Sequence, residues 1–290
     1  MENNKEKDMD KVLGMNRIMF FVIVGLLCIL ALSIGIYAQI FYRYSDTDPF
    51  MLGIGVGKTQ EAAEITKMKN EFNTIFTNDV SGESTISDIS KNKNDKDLVY
   101  TEQKITEREN DKYNIVANIP YINIDSNIVG KINSDINKKY IDKIEKIIAE
   151  SKEYQDYNVT YKAYINGELL SIIIKENIKE GRNTQSAKIT TYNYSLSLDR
   201  EVTINDIIKA KGYDSKKLQK EIDTQIETLN KKDEELKNQY TEVRLRDVSN
   251  QMYKIENTEN FIVNQDGYLY LIYAYGNKEN TNKIDLIIFE

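Results

Sequence analysis

Residues 157–175 read YNVTYKAYINGELLSIIIK, two runs of strand-forming residues on either side of Asn166-Gly167. Asn-Gly is a favoured two-residue hairpin turn, because both positions of that turn require a positive φ that these residues accept. The stretch therefore predicts an antiparallel hairpin with strands at 157–165 and 168–175.

A helix precedes this hairpin. Isoleucines and one tyrosine recur at spacings of four and three residues from Asn127 to Glu150, which predicts an amphipathic helix. Two further strands come before it. Alternation from Val99 to Ile105 predicts one strand, and Tyr113–Ile119 predicts a second that ends at Pro120.

The remaining elements alternate between the two types. After the hairpin we expect a strand at 187–198, a short helix within 199–211, a longer helix from 214 or 215 to about 229 or as far as 240, a weaker helix at 244–253, and closing strands at 260–263, 268–275 and 284–289. Helices interspersed with hairpins predict an α+β fold, a mostly antiparallel sheet with packed helices.

A transmembrane helix is expected ahead of this fold. Residues 18–42, IMFFVIVGLLCILALSIGIYAQIFY, contain no formal charge over 25 residues. At about 1.5 Å per residue they exceed the ~30 Å hydrocarbon core of a bilayer. Lys11 and Arg17 before the span, against Arg43 after it, favour the N-terminus inside. The chain is thus expected in the cell membrane as a single-pass protein with an extracytoplasmic C-terminal domain.

The expected organisation has five segments: a short cytoplasmic tail at 1–17, the anchor at 18–42, a juxtamembrane amphipathic helix and polar linker at 43–97, and two α+β parts at 98–182 and 183–290. The helix is predicted at 59–76, and the solvated linker at 78–97. Gly53 to Thr59 resembles a phosphate-binding loop but lacks the required glycine spacing, so an apolar hinge is favoured.

Composition excludes several classes of protein. The chain has no His and one Cys among 290 residues. A Ser-His-Asp or Cys-His catalytic pair, a His-ligated zinc and an internal disulfide are therefore impossible. We expect no metal and no cofactor. A net charge of -7 also argues against nucleic-acid binding.

The order of elements over roughly 98–290 resembles the extracytoplasmic region of the RsiV-like anti-sigma factors. This region also precedes the catalytic domain of some PdaC-type peptidoglycan deacetylases. The resemblance rests on Lys131-Ile-Asn133 in the first part and, within 183–290, on the motifs Asn193–Leu198, Val202–Ile207, Asn260-Phe261, Asp266–Tyr268 and Tyr273–Gly276.

The resemblance implies an extracytoplasmic domain that binds lysozyme and triggers cleavage near the membrane. The deacetylase activity does not carry over, because its zinc site needs histidines. Residues 1–17 are too short for the sigma-binding domain of the anti-sigma relatives.

We therefore expect a non-enzymatic, membrane-anchored binding or sensor protein of the bacterial cell envelope, whose partner is a protein such as lysozyme or a peptidoglycan glycan. Two alternatives remain: an anti-sigma-type signalling protein released by regulated proteolysis, and a carboxylate-based cell-wall hydrolase. The many acids of the chain do not single out a catalytic pair.

The candidate ligand-binding residues lie on the penultimate strand and the loop after it. They are Tyr268, Tyr270, Tyr273, Tyr275, Gly276 and Asn277. Tyrosine is enriched at interaction surfaces because it buries a large area at a low cost in side-chain entropy. Side chains alternate along a strand, so we also expect at least one tyrosine pair to belong to the core.

Overall fold

The computed structural model describes residues 11–12, 15–16, 56–183, 185–237, 245–275 and 283–290. The chain divides into two compact units, residues 1–66 and 67–290. In the first unit, β1 (Lys11–Val12) pairs antiparallel with β2 (Met15–Asn16). Helix α1 (Val56–Glu71) crosses the boundary and continues into a 3₁₀ turn at Phe72–Thr74.

None of the helices in the described ranges is long and apolar enough to span a membrane. The transmembrane helix expected at 18–42 lies outside these ranges, so it stays a prediction.

The second unit is α+β with mostly antiparallel sheets, which confirms the predicted fold class. Its elements are β3 (Val80–Ser84), β4 (Val99–Glu109), β5 (Tyr113–Ile122), α2 (Asn127–Glu150), β6 (Gln155–Gly167), β7 (Leu169–Glu180), β8 (Ser186–Ser195), β9 (Arg200–Glu201), α3 (Ile204–Ala210), α4 (Ser215–Lys237), 3₁₀ turns at Gln251–Tyr253 and Ile255–Asn257, β10 (Phe261–Val263), β11 (Leu269–Tyr275) and β12 (Lys283–Phe289).

The larger sheet has seven strands in the order β4-β5-β6-β7-β8-β9, with β3 pairing to β6. β5 pairs parallel with the first half of β6, and β3 pairs parallel with the second half. Helix α2 makes the crossover between the parallel strands β5 and β6. Residues 78–97 were expected to form a solvated linker, but β3 lies within them. The sequence VSGES has no strand pattern, and β3 is a strand because its backbone pairs with β6.

Some elements differ from the predictions. The hairpin turn is Gly167-Glu168 rather than Asn166-Gly167, because Asn166 already pairs with Leu169 and only Gly167 has a positive φ, 60°. β5 continues past Pro120 to Ile122, and the register of β4 shifts opposite it, between Thr101 and Gln103. The helix expected at 244–253 is wrong over its described part, where only the turn at Gln251–Tyr253 forms.

A first core lies between the large sheet and α2. It contains the helix stripe Val129, Ile132, Ile136, Tyr140, Ile144 and Ile147, together with inward residues of β5, β6 and β7 such as Ile115, Tyr161 and Ile172. Helix α2 begins after Ser126, whose hydroxyl accepts hydrogen bonds from the backbone N–H groups of Ile128 and Val129. The helix therefore forms at Asn127–Glu150, as the spacing of its apolar residues predicts.

A second core lies between the three-stranded sheet β10-β11-β12 and the helices α3 and α4. Helix α4 contributes Leu218, Ile222 and Ile226, and the sheet contributes residues such as Leu269 and Leu271. Helix α3 begins with a capping box, in which Thr203 and Asp206 satisfy each other's backbone N–H groups.

A polar seam joins the two sheets. The outer edge of β10 is satisfied by side chains on the face of β7 and β8 that lies opposite α2. Thr191 Oγ1 accepts from Phe261 N at 3.2 Å, Asn193 Nδ2 donates to Phe261 O at 2.8 Å, and Ser171 Oγ accepts from Val263 N at 3.2 Å. Ser171 and Asn193 also bond to each other at 2.7 Å. The seam fixes the small sheet on the large one.

Candidate functional site

A cavity of about 650 Å³ opens beyond the seam, on the same face of β7. The end of α1 contributes Lys69, the 3₁₀ turn after it contributes Asn73, β7 contributes Lys175 and Asn177, and α4 contributes Asp233. The start of β8, the segment around residue 246 and the start of β12 complete the wall, with apolar surface from Phe72, Leu229 and Leu286. This volume lies within the range of about 300–1,000 Å³ that small-ligand sites occupy.

A buried ion cluster forms one side of the cavity. Arg246 donates through Nε and Nη2 to both oxygens of Asp285 at 2.7 Å, and through Nη1 to Asp233 at 2.8 Å. The exposed fractions are 8% for Arg246, 8% for Asp233 and 3% for Asp285. Asn230 on α4 accepts from the backbone N–H of Arg246 at 2.8 Å, which anchors the arginine. Both carboxylates are therefore held as hydrogen-bond acceptors.

Tyrosines connect the ion cluster to the second core. The hydroxyl of Tyr253 donates to Asp285 at 3.3 Å, and its ring lies 5.3 Å from that of Tyr273. Burial, followed by the Asp285 carboxylate, raises the pKa of Tyr253. Burial also raises the pKa of Tyr273 to about 12. Both phenols stay protonated at neutral pH, so they act as hydrogen-bonding groups and not as bases.

Two lysines contribute positive charge to the cavity. Lys69 Nζ donates to Gln225 Oε1 at 2.9 Å, and Lys175 Nζ donates to Asn73 Oδ1 at 2.8 Å. Burial lowers the pKa of both side chains. Within the described part of the chain, neither lysine takes part in an ion pair. Each ammonium group donates to a neutral amide, and the carboxylates of Glu221 and Asp285 also act on Lys69 through their charge, without a direct ion pair.

Three of the predicted tyrosines are buried. Tyr268, Tyr270 and Tyr273 are 8%, 6% and 3% exposed. Tyr273 bonds to Thr258 at 3.0 Å. The backbone of Tyr275 ends β11, and Gly276 and Asn277 lie outside the described residues. Ligand binding by this group stays a prediction.

Sequence reasoning missed the cavity residues, although two of them carried a signal. Asp233 follows Leu229 at the next stripe position of α4, so it interrupts an apolar face with a charge. Asp285 interrupts the apolar run of β12 in the same way. Because a charged residue at an inward position is rarely buried unless it is paired, both positions point to a buried partner cation. No local pattern marks Lys69 or Lys175.

The two buried aspartates do not form the carboxyl pair of a glycoside hydrolase. A glycoside hydrolase needs one carboxyl group that can give up a proton and a second that can attack or activate water. Asp233 and Asp285 are instead both engaged by the same guanidinium. The described residues contain no group of His, Cys, Asp and Glu that could hold a metal ion.

Comparisons with known proteins show structural neighbours only. No family model matches the chain, and no curated protein sequence does. A crystal structure of a DUF3298 family protein from Pseudomonas aeruginosa is similar, with 11% identity, a TM-score of 0.39 and coverage of 60% of this chain and 82% of that one. A DUF3298 family member from Bacteroides fragilis has 15% identity, a TM-score of 0.32 and coverage of 59% and 82%. At these scores the likeness carries no argument about function.

Proposed function

We propose that this chain is a single-pass membrane protein of the bacterial cell envelope whose extracytoplasmic unit binds a cell-wall glycan without chemical turnover. The observation that carries the proposal is the 650 Å³ cavity with its amide, hydroxyl and ammonium lining. Asn73, Asn177 and Ser186 offer donors and acceptors of the kind that bind sugar hydroxyls. A protein partner would instead bury a larger surface, about 800 Å² on each side.

The sequence supports an extracytoplasmic location for the folded unit. The span at 18–42 is long enough to cross a bilayer, and the bases before it favour the N-terminus inside. The single Cys lies within that span, so the rest of the chain is free of thiols. A cysteine introduced at Leu198, which is 64% exposed, therefore reports the location of the folded unit.

Labelling of intact cells with a membrane-impermeant maleimide tests this location. Leu198→Cys should be labelled in intact cells, whereas Asn3→Cys should be labelled only after lysis. The reverse pattern, or labelling of both positions only after lysis, contradicts the proposed topology.

Calorimetry tests the binding. The full chain in lipid nanodiscs is titrated with soluble peptidoglycan fragments, and the recovered fragments are analysed by chromatography. We expect saturable heat and unchanged fragments. Cleaved fragments would make the protein an enzyme, and the absence of heat would reject the glycan as the ligand.

A basic protein such as lysozyme is a second candidate partner, favoured by the charge of the chain. The first 42 residues hold four bases and four acids, so the remainder carries 35 bases and 42 acids. This surplus of acids attracts a basic partner, although the field is mild. Lysozyme is therefore the parallel titrant, and heat with lysozyme alone would favour this candidate.

A further inference from the structure

The cavity has the opposite charge from the chain as a whole. Its lining contains three bases, Lys69, Lys175 and Arg246, against two acids, Asp233 and Asp285. The whole chain, in contrast, has a net charge of -7. A local excess of positive charge in a concave and partly desolvated site favours an anion, because field lines concentrate there and water screens them less.

The arginine is not the group that meets this anion. Its Nε, Nη1 and Nη2 atoms already donate to Asp233 and Asp285 at 2.7–2.8 Å. The arginine and the two aspartates therefore form a buried cluster that stabilises one side of the cavity. The remaining positive charge of the lining belongs to the two lysines.

Side-chain amides orient the ammonium groups of the two lysines. Gln225 accepts from Lys69 at 2.9 Å and Asn73 accepts from Lys175 at 2.8 Å, so an amide orients each ammonium group; Glu221 and Asp285 act on Lys69 only through their charge, without an ion pair among the described residues. An ammonium group has three donor hydrogens, and one bond to an amide leaves capacity for a further acceptor. Lys175 also lies over the ring of Phe76 at 5.2 Å, which limits the directions that its side chain can take.

We infer that Lys69 and Lys175 bind the oxyanion of a polyhydroxyl ligand whose hydroxyl groups contact the amides of the cavity. The inference deepens the proposed function and rests on it, since it names the chemistry of the glycan. A sugar that carries a carboxylate and a polyol that carries a phosphate share this chemistry. A neutral sugar lacks it.

Matched ligands separate these cases. The full chain in lipid nanodiscs is titrated with N-acetylmuramic acid and with N-acetylglucosamine, which lacks the lactyl carboxylate. Glycerol 3-phosphate, with glycerol as its control, supplies the phosphate arm. We expect at least one anion to bind about tenfold more tightly than its neutral control, the gain typical of a charge-assisted hydrogen bond.

Matched variants assign that preference to the lysines. Lys69→Met and Lys175→Met keep the apolar stems and remove the charges. Lys179→Met, on the same strand β7 but exposed and outside the cavity lining, is the control. Each cavity variant should lose most of the preference for the anion, the double variant should lose all of it, and the control should keep it. Should the double variant fail to fold, the two single variants carry the test.

The outcomes separate this inference from the proposed function. Equal affinity for anion and neutral control, no binding of either anion, or a preference that survives in Lys69→Met and Lys175→Met overturns the role of the lysines. If peptidoglycan fragments still bind in any of these cases, the proposed function stands without the inference. If the fragments also fail to bind, both are rejected.

Discussion

The first core buries isoleucines and tyrosines between one long helix and the large sheet, whereas the second core places an arginine and two aspartates beside its isoleucines. In the first core, the buried carboxylate of Glu176 accepts from Tyr157 at 2.8 Å and from Lys143 at 2.9 Å. The second core has a larger ion cluster, and that cluster forms one side of a cavity.

This difference indicates that the two cores have different roles. Apolar packing of the first kind gives stability directly, because it removes hydrocarbon from water. A buried ion cluster costs more to desolvate, and apolar residues of equal volume often stabilise a protein as well or better. We therefore expect the first core to act as the scaffold and the second core to position the site.

Removal of the arginine should have the largest effect. Arg246→Met leaves Asp233 and Asp285 buried without their cation, which should lower the free energy of unfolding by about 3–5 kcal/mol. Chemical unfolding followed by circular dichroism measures this loss. The control is the triple variant in which Asp233 and Asp285 also become Leu, which should recover most of the stability. A single variant as stable as the wild type would contradict the role of the cluster.

A cavity in the first core should destabilise the protein without touching the site. Ile136 on α2 is 1% exposed, and Ile136→Ala should cost about 2–5 kcal/mol in the free energy of unfolding. Because α2 covers the face of the sheet opposite to the cavity, the affinity for ligand should not change at a temperature where the variant is folded. A loss of affinity would show that the first core also contributes to ligand binding.

Disruption of the polar seam should have a smaller effect on stability. Asn193→Ala removes the donor to Phe261 O and the acceptor for Ser171, so it leaves buried polar groups unsatisfied. The expected loss is about 1–3 kcal/mol. Asn183→Ala, at an exposed position, is the control and should be neutral. Equal stability of the two variants would mean that the seam contributes nothing.

The capping box of α3 should show the smallest effect, and one that depends on pH. The Arg200 guanidinium, together with the backbone and hydroxyl of Thr203, holds the pKa of Asp206 far below its usual range. A carboxyl group with a lowered folded-state pKa stabilises the protein above its unfolded pKa of about 3.9 and loses this contribution as the pH falls further. Asp206→Asn should therefore cost about 1 kcal/mol at pH 7.

Unfolding of the wild type and of Asp206→Asn at pH 7 and at pH 3 measures this contribution. The difference between them should shrink at the lower pH. A difference that is the same at both values would contradict the assignment to the carboxylate.

The sequence predicted the elements whose side chains repeat regularly. Helix α2 was expected at Asn127–Glu150 and is found there, because its stripe runs unbroken to Ile147. β3 was missed because Val80–Ser84 has no alternation, and only its pairing with β6 makes it a strand. Turn chemistry predicted the hairpin but placed its turn one residue early, since the pairing register decides between Asn166 and Gly167.

The site could not be predicted because its residues are far apart in the chain. Lys69, Lys175, Asp233, Arg246 and Asp285 come from five separate segments, and only the tertiary fold brings them to one cavity. The tyrosines in and next to β11, in contrast, lie close together in the sequence, so a local pattern marks them. Tyr268, Tyr270 and Tyr273 lie buried in the fold.

Hydrogen–deuterium exchange of the full chain in nanodiscs, with and without soluble peptidoglycan fragments, tests most directly whether the cavity is the binding site. If the cavity is the binding site, ligand slows exchange in peptides that cover Asn73, Asn177–Ala187 and Leu229, while exchange in α2 is unchanged. Slower exchange confined to Tyr268–Tyr275, or no change around Lys175, would contradict it.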